Sequence, residues 1–166
     1  MPANPNWARW VFASMATYLK QVAQDNNVPA LIEGVDERAS AFMDASDRIE
    51  IRITGPYTRE LSHNYYELSL DVNVLITSRF DGPDKNRYTP QKIAGIFQEA
   101  MDGAIAVYRY GDQPGDDDHA LVGCLSPRSG RRDAVRVLHF GQLNATDRIR
   151  QSLVDCGYVM EIYDNE

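Results

Sequence analysis

From Asn64 to Ser78 the chain reads NYYELSLDVNVLITS, and its apolar residues fall on one parity. Tyr66, Leu68, Leu70, Val72, Val74 and Ile76 alternate with Glu67, Ser69, Asp71, Asn73 and Thr77, which is the period of a strand with one buried face. Strands usually hold about five or six residues. One of this length must project past its neighbours, cross a curved sheet, or pair with another subunit.

The rest of the chain supplies partners for it. From about Ile149 to Tyr163, Ser152, Val154, Cys156, Tyr158, Met160 and Ile162 share a parity, giving a second long strand. Arg48 to Thr54 alternates with Ile49, Ile51 and Ile53 inward, and Gly55-Pro56 is expected to end it. YTRELSH, residues 57 to 63, then reads as a hairpin connection into the long strand, making the two antiparallel neighbours.

Two amphipathic helices are expected. Pro5 to Asn26 carries Trp7, Val11, Met15, Tyr18, Leu19 and Val22 at helical spacing, with Asn4 or Asn6 as cap. Trp10 and Phe12 widen its apolar surface, which implies deep burial or contact with a neighbouring chain. Thr89-Pro90 opens the second helix, which runs to about Gly103 on Ile93, Ile96, Phe97, Ala100, Met101 and Ala104. Short strand-like runs lie at 28 to 33, 105 to 110, 119 to 125 and 135 to 140, and residues 36 to 47 read as either a short helix or a loop. The expected architecture is α+β, a mixed, mainly antiparallel twisted sheet with two principal helices packed on it, in one domain spanning 1–166.

Composition excludes several function classes. At 166 residues the chain can bury roughly two-thirds of its unfolded surface. With 24 acidic against 17 basic residues it carries −7, so a general nucleic-acid-binding surface is disfavoured. No run of about eighteen apolar residues occurs, and the opening MPANPNWARW lacks the basic and apolar regions of a secretory signal, so neither a membrane span nor export is expected. Cys124 and Cys156 each lie in an apolar strand-like run and are expected as buried free thiols.

No catalytic signature accompanies the fold. Asp116-Asp117-Asp118-His119 is dense in oxygen ligands but lacks the alternation, glycine turn and distal glutamate of a calcium loop, and reads as a solvated acidic loop. Arg128, Arg131 and Arg132 form a basic loop ten residues on, and the two loops of opposite sign are candidates to meet across a subunit boundary. His63, His119 and His139 are scattered through different segments, and the nucleophile-elbow, zinc and phosphate-loop patterns are absent. No cofactor and no metal is expected.

The order of elements, with Ile49 to Thr54 leading through GPYTRELSHNYYELSLDVNVLITS, a helix from Pro90 and the closing RIRQSLVDCGYVMEIY, resembles the tail terminator proteins of long-tailed bacteriophages and their neck and tail-completion relatives. The likeness is one of layout over most of the chain, without a short diagnostic motif. It implies a non-enzymatic virion protein forming a ring, commonly of six subunits, on the last ring of the tail tube. Its implied partners are other copies of itself, the tail tube protein and the head-to-tail connector or stopper, with no specific nucleic-acid binding although DNA passes through the lumen. Residues expected at subunit boundaries are the aromatics Trp10, Tyr57 and Tyr65, the polar Arg59, His63 and Glu67, and the loop residues Asp116, Asp117, Asp118, Arg128, Arg131 and Arg132. The SHNYY end of the long strand is the part expected to reach beyond its own subunit. Alternatives are another neck, connector or baseplate position, or a small α+β enzyme or binding domain using Glu33, Asp36, His63 or the Asp116 to His119 loop.

Overall fold

The computed structural model describes residues 4–80, 88–111, 119–128, 134–140 and 148–164. In chain order the elements are α1 (Asn6–Asp25), β1 (Ala30–Ile32), α2 (Ser40–Asp44), β2 (Asp47–Ser62), β3 (Tyr65–Arg79), α3 (Thr89–Met101), β4 (Ile105–Tyr108), β5 (Leu121–Pro127), β6 (Val135–Phe140) and β7 (Ile149–Tyr163). The architecture is α+β, with a mixed, mainly antiparallel sheet ordered β1-β2-β3-β7-β5-β4, and β6 added to β7. Among the described strands only β1 against β2 is parallel.

β3 and β7 pair antiparallel over their whole lengths, from Tyr65 opposite Tyr163 to Arg79 opposite Ile149. Because the register is fixed, their apolar parities coincide: Leu68 faces Met160, Leu70 faces Tyr158, Val72 faces Cys156, and Val74 faces Val154. All of these side chains are buried. A slip of one residue in β7 would turn its whole buried set, Val154, Cys156, Tyr158 and Met160, to the opposite face.

Both long helices lie on that apolar face. α1 buries Trp10, Val11, Met15, Leu19 and Ala23, and α3 buries Ile93, Ala94, Phe97 and Met101. A helix leaves its last carbonyls without intrahelical donors. At the end of α3 two tyrosines supply donors: Tyr18 Oη of α1 to Ala100 O and Tyr158 Oη of β7 to Met101 O, both at 2.7 Å. One helix terminus thus fastens the other helix and the sheet. Burial raises the Tyr158 phenol far above its ordinary range, so it stays a donor across the accessible pH range.

Two expectations need correction, those for Gly55-Pro56 and Cys124, and of the two readings of Trp10 deep burial is the one observed. Gly55-Pro56 does not end β2, which continues to Ser62 and turns through His63-Asn64, with Asn64 at φ 58°. The pairing jumps from Thr54 opposite Asp71 to Tyr57 opposite Ser69, so Gly55-Pro56 forms a bulge on the outer strand, where proline disrupts no ladder on the solvent side. Gly55 has φ +108°, and a Cβ there would lie 3.0 Å from Ser69 O. Trp10 is only 8% exposed. Its indole Nε1 donates to Tyr110 O at 3.0 Å, and its ring packs against Trp7 and under the Arg109 guanidinium. Cys124 is exposed while Cys156 is buried, and both are free. Their strands place them on opposite sides of the packing even though both sit in apolar runs.

Residues 36 to 47, read as helix or loop, contain the single short helix α2. Leu70→Ala should cost about 2–5 kcal/mol because Leu70 is fully buried in the densest part of the sheet. Thr58→Ala, on the exposed part of β2, should stay within about 0.5 kcal/mol. Urea unfolding of the two variants measures the contrast.

Candidate functional site

The face of the sheet away from the helices carries the opposite parity, and it is ordered in cross-strand rows. Arg52, Asn73, Asp155 and Arg136 form one row, and Glu50, Leu75, Leu153 and Leu138 another. Near the hairpin end, Arg59, Glu67 and Glu161 share a row, with Tyr65 opposite Tyr163 beyond it.

Charges on this face are matched locally. Arg136 Nη2 lies 2.9 Å from Asp155 Oδ2, Arg59 Nη2 3.2 Å from Glu67 Oε1, and Arg128 Nη2 3.7 Å from Asp71 Oδ1. Arg52 grips Glu33 with both Nε and Nη2, at 2.8 and 3.0 Å, and Arg38 pairs with Glu50. The Tyr65 hydroxyl donates to the Glu161 carboxylate, which pushes the phenol pKa up. Each exposed pair contributes little energy. Together they give a face on which described charges of opposite sign sit in pairs.

A cavity of about 400 Å³ opens on this face between Glu33, Arg38, Glu50, Arg52, Asn73, Leu75, Phe140 and Leu153. Its carboxylates are engaged by arginines, so it presents no free acid or base pair. The hydrogen bond from Arg52 holds Glu33 below the usual carboxylate range. Burial pushes Asp36 up, but the Ile32 N–H at 2.8 Å and Lys20 Nζ at 2.7 Å outweigh it, and its net shift is downward. Asp36 ties β1 to α1. A general acid requires the opposite shift. Neither lies near His63, which sits at the far hairpin turn. Among the described residues, no three His, Cys, Asp or Glu side chains converge as a metal group, and no helix is long and apolar enough to cross a membrane.

Of the boundary candidates, the structure gathers Tyr57, Arg59, His63, Tyr65 and Glu67 at one place, the distal end of the β2–β3 hairpin. Arg128 lies across β7, donating its N–H to Gly157 O at 2.8 Å beside Asp71. Asp116, Asp117, Asp118, Arg131 and Arg132 lie outside the described residues. Within SHNYY, Tyr65 and Tyr66 are covered by β7 and Tyr66 is buried, while Ser62 and His63 are exposed and continue the outer stretch of β2. β1 pairs only with Ile49 to Ile51, and from Thr54 to His63 every residue but Pro56 is exposed, with Tyr57 at 56% and Leu61 at 39%.

A second border escaped the sequence reading. Among the described residues β6 pairs only with β7, and on its open face Leu138 is 50% exposed and Phe140 43% exposed. The signal was present in its apolar residues on both parities, which a strand with one wet face does not need.

No family model and no curated protein matches the sequence. A solved structure that bears no functional name is similar over 95% of this chain and 97% of that chain, with a TM-score of 0.53 at 12% identity. At that identity the likeness concerns the fold alone.

Two outcomes follow from these environments. Cys124 should react with a thiol reagent in the native protein, whereas Cys156, whose thiol is pushed up by burial, should react only on unfolding. Stepwise labelling in urea separates them. Because the Asp36 carboxyl is held below its ordinary value, its contribution to stability is present above the unfolded pKa and lost as pH falls through the folded one. Asp36→Asn should therefore flatten the acid limb of stability against pH, measured by urea midpoints from pH 7 to pH 3 (about the carboxylate range).

Proposed function

We propose that this chain is a non-enzymatic structural protein of a phage virion, a subunit of a ring, six-membered by resemblance, at the head-proximal end of the tail. There it ends polymerisation of the tail tube and joins the tail to the head connector, so its partners are its own copies, the tube protein and the connector or stopper. It is assembled in the host cytoplasm, and its place of action is the tail and neck.

The observation that carries the reading is the distal half of β2. A strand paired on one side with β3 and exposed at every residue but Pro56 from Thr54 to Ser62 offers its other edge to another polypeptide. The cross-strand ion pairs on the open face support a scaffold role further. The layout resemblance supplies the position in the virion.

Light scattering and native mass spectrometry should give a closed oligomer of one size, and that oligomer should co-sediment with purified tail tubes. A strict monomer at high concentration, with no binding to tubes, would overturn the proposal. Tyr57→Ala or Glu67→Lys should reduce the oligomer while changing folding stability by under about 1 kcal/mol, because both side chains are at the exposed hairpin end.

A further inference from the structure

We propose that copies of this chain join edge to edge in one sheet, with the free half of β2 in one copy adding antiparallel to the outer edge of β6 in the next. The inference rests on the ring reading above and specifies its contact.

The directions of the strands are suited to it. β2, β3, β7 and β6 are neighbours in that order, each antiparallel to the next, so β2 and β6 are the two borders of a four-stranded block and run oppositely. Set side by side in the same orientation, two copies therefore present an antiparallel junction, and a third can add in the same way. This is a heterologous contact between two different patches, the kind that generates a ring when its rotation closes. The first half of β2 is taken by β1, and the border strand β4 is met by α1, where Ser14 Oγ accepts from Tyr108 N at 2.9 Å.

Side chains agree with the backbone. Arg59 shares the open face with Phe140, while Glu60 and His139 share the helix side, as their partners Glu67, Gln151, Tyr66 and Ser152 establish. One antiparallel register sets Arg59 against Phe140 and Glu60 against His139, a cation with a ring and a carboxylate with an imidazole, each pair on its own face. Leu61, the unpaired residue of a second β2 bulge between Glu60 and Ser62, then falls next to Leu138, and both are exposed.

The offset of the two edges also fits closure. β6 lies beside residues 151 to 156 of β7, which are opposite 72 to 77 of β3, whereas the free half of β2 lies beside 65 to 71. Each added copy is shifted along the strands in one sense. A sheet closes on itself only with such a stagger.

The test uses two full-length variants, Glu60→Lys with Leu61→Lys on the β2 edge, and Leu138→Lys with Phe140→Lys on the β6 edge. Lysines on an edge oppose strand addition. Each variant alone should lose at least tenfold of its oligomer by native mass spectrometry. An equimolar mixture should form a one-to-one heterodimer and nothing larger, because only one intact junction remains. Oligomerisation of either variant like the wild type, or failure of the mixture to pair with both partners folded by circular dichroism, would overturn the edge contact while leaving the ring reading in place. A wild-type protein that is itself monomeric would overturn both. Should a lysine variant misfold, Leu61→Cys and Leu138→Cys chains, each in a Cys124→Ser background, should give an oxidised interchain heterodimer when mixed into assembling protein. Its absence would overturn the contact equally.

Discussion

The fifteen-residue pairing of β3 with β7 is the constraint on which everything else in the molecule rests. It aligns two apolar parities into one continuous buried surface, and α1 and α3 lie over the same side of the sheet. Hydrogen bonds between two fully paired central strands are hard to open locally, so the block is stiff. Tyr158 belongs to this pairing, and through Met101 O it determines where α3 ends against the sheet. The two ends of the block then inherit the geometry: β2 is carried outward as a long border, and β6 is laid down as the other.

The same pairing creates a solvent face whose chemistry is set by registry. Arg136 with Asp155 and Arg59 with Glu67 meet because their strands place them opposite or adjacent, and the sequence separation within each pair is immaterial to the contact. Matching of this kind adds little stability. It does place opposite charges side by side across the strands of that face. Exposed Tyr57, Leu61, Leu138 and Phe140 interrupt the charge pattern at the borders.

Gly55-Pro56 illustrates how border and core follow different rules. In a central strand a proline would remove a ladder bond and a positive φ would twist the strand out of register. On β2 both are tolerated because the strand has one paired side there, and the bulge lets it continue for seven residues past Gly55. The dipeptide that reads as a stop in one dimension is a bend in three. Trp10 shows the converse: a large aromatic off the main stripe of α1 reads as surplus surface until Tyr110 O and Arg109 close over it.

The sequence by itself determined the long strands, their buried parity and the two principal helices, because a period of two or 3.6 depends only on which side chains prefer water. Tyr66 to Ile76 and Ser152 to Ile162 were readable to the residue for that reason, and so was the α+β class. Only the tertiary structure decided which strands are neighbours, that β1 lies parallel to β2, that Cys124 faces outward and Cys156 inward, and which borders stay open. Those outcomes depend on pairing between residues far apart in the chain. A local pattern states that a face wants burial, but it does not state which other segment of the chain will cover it.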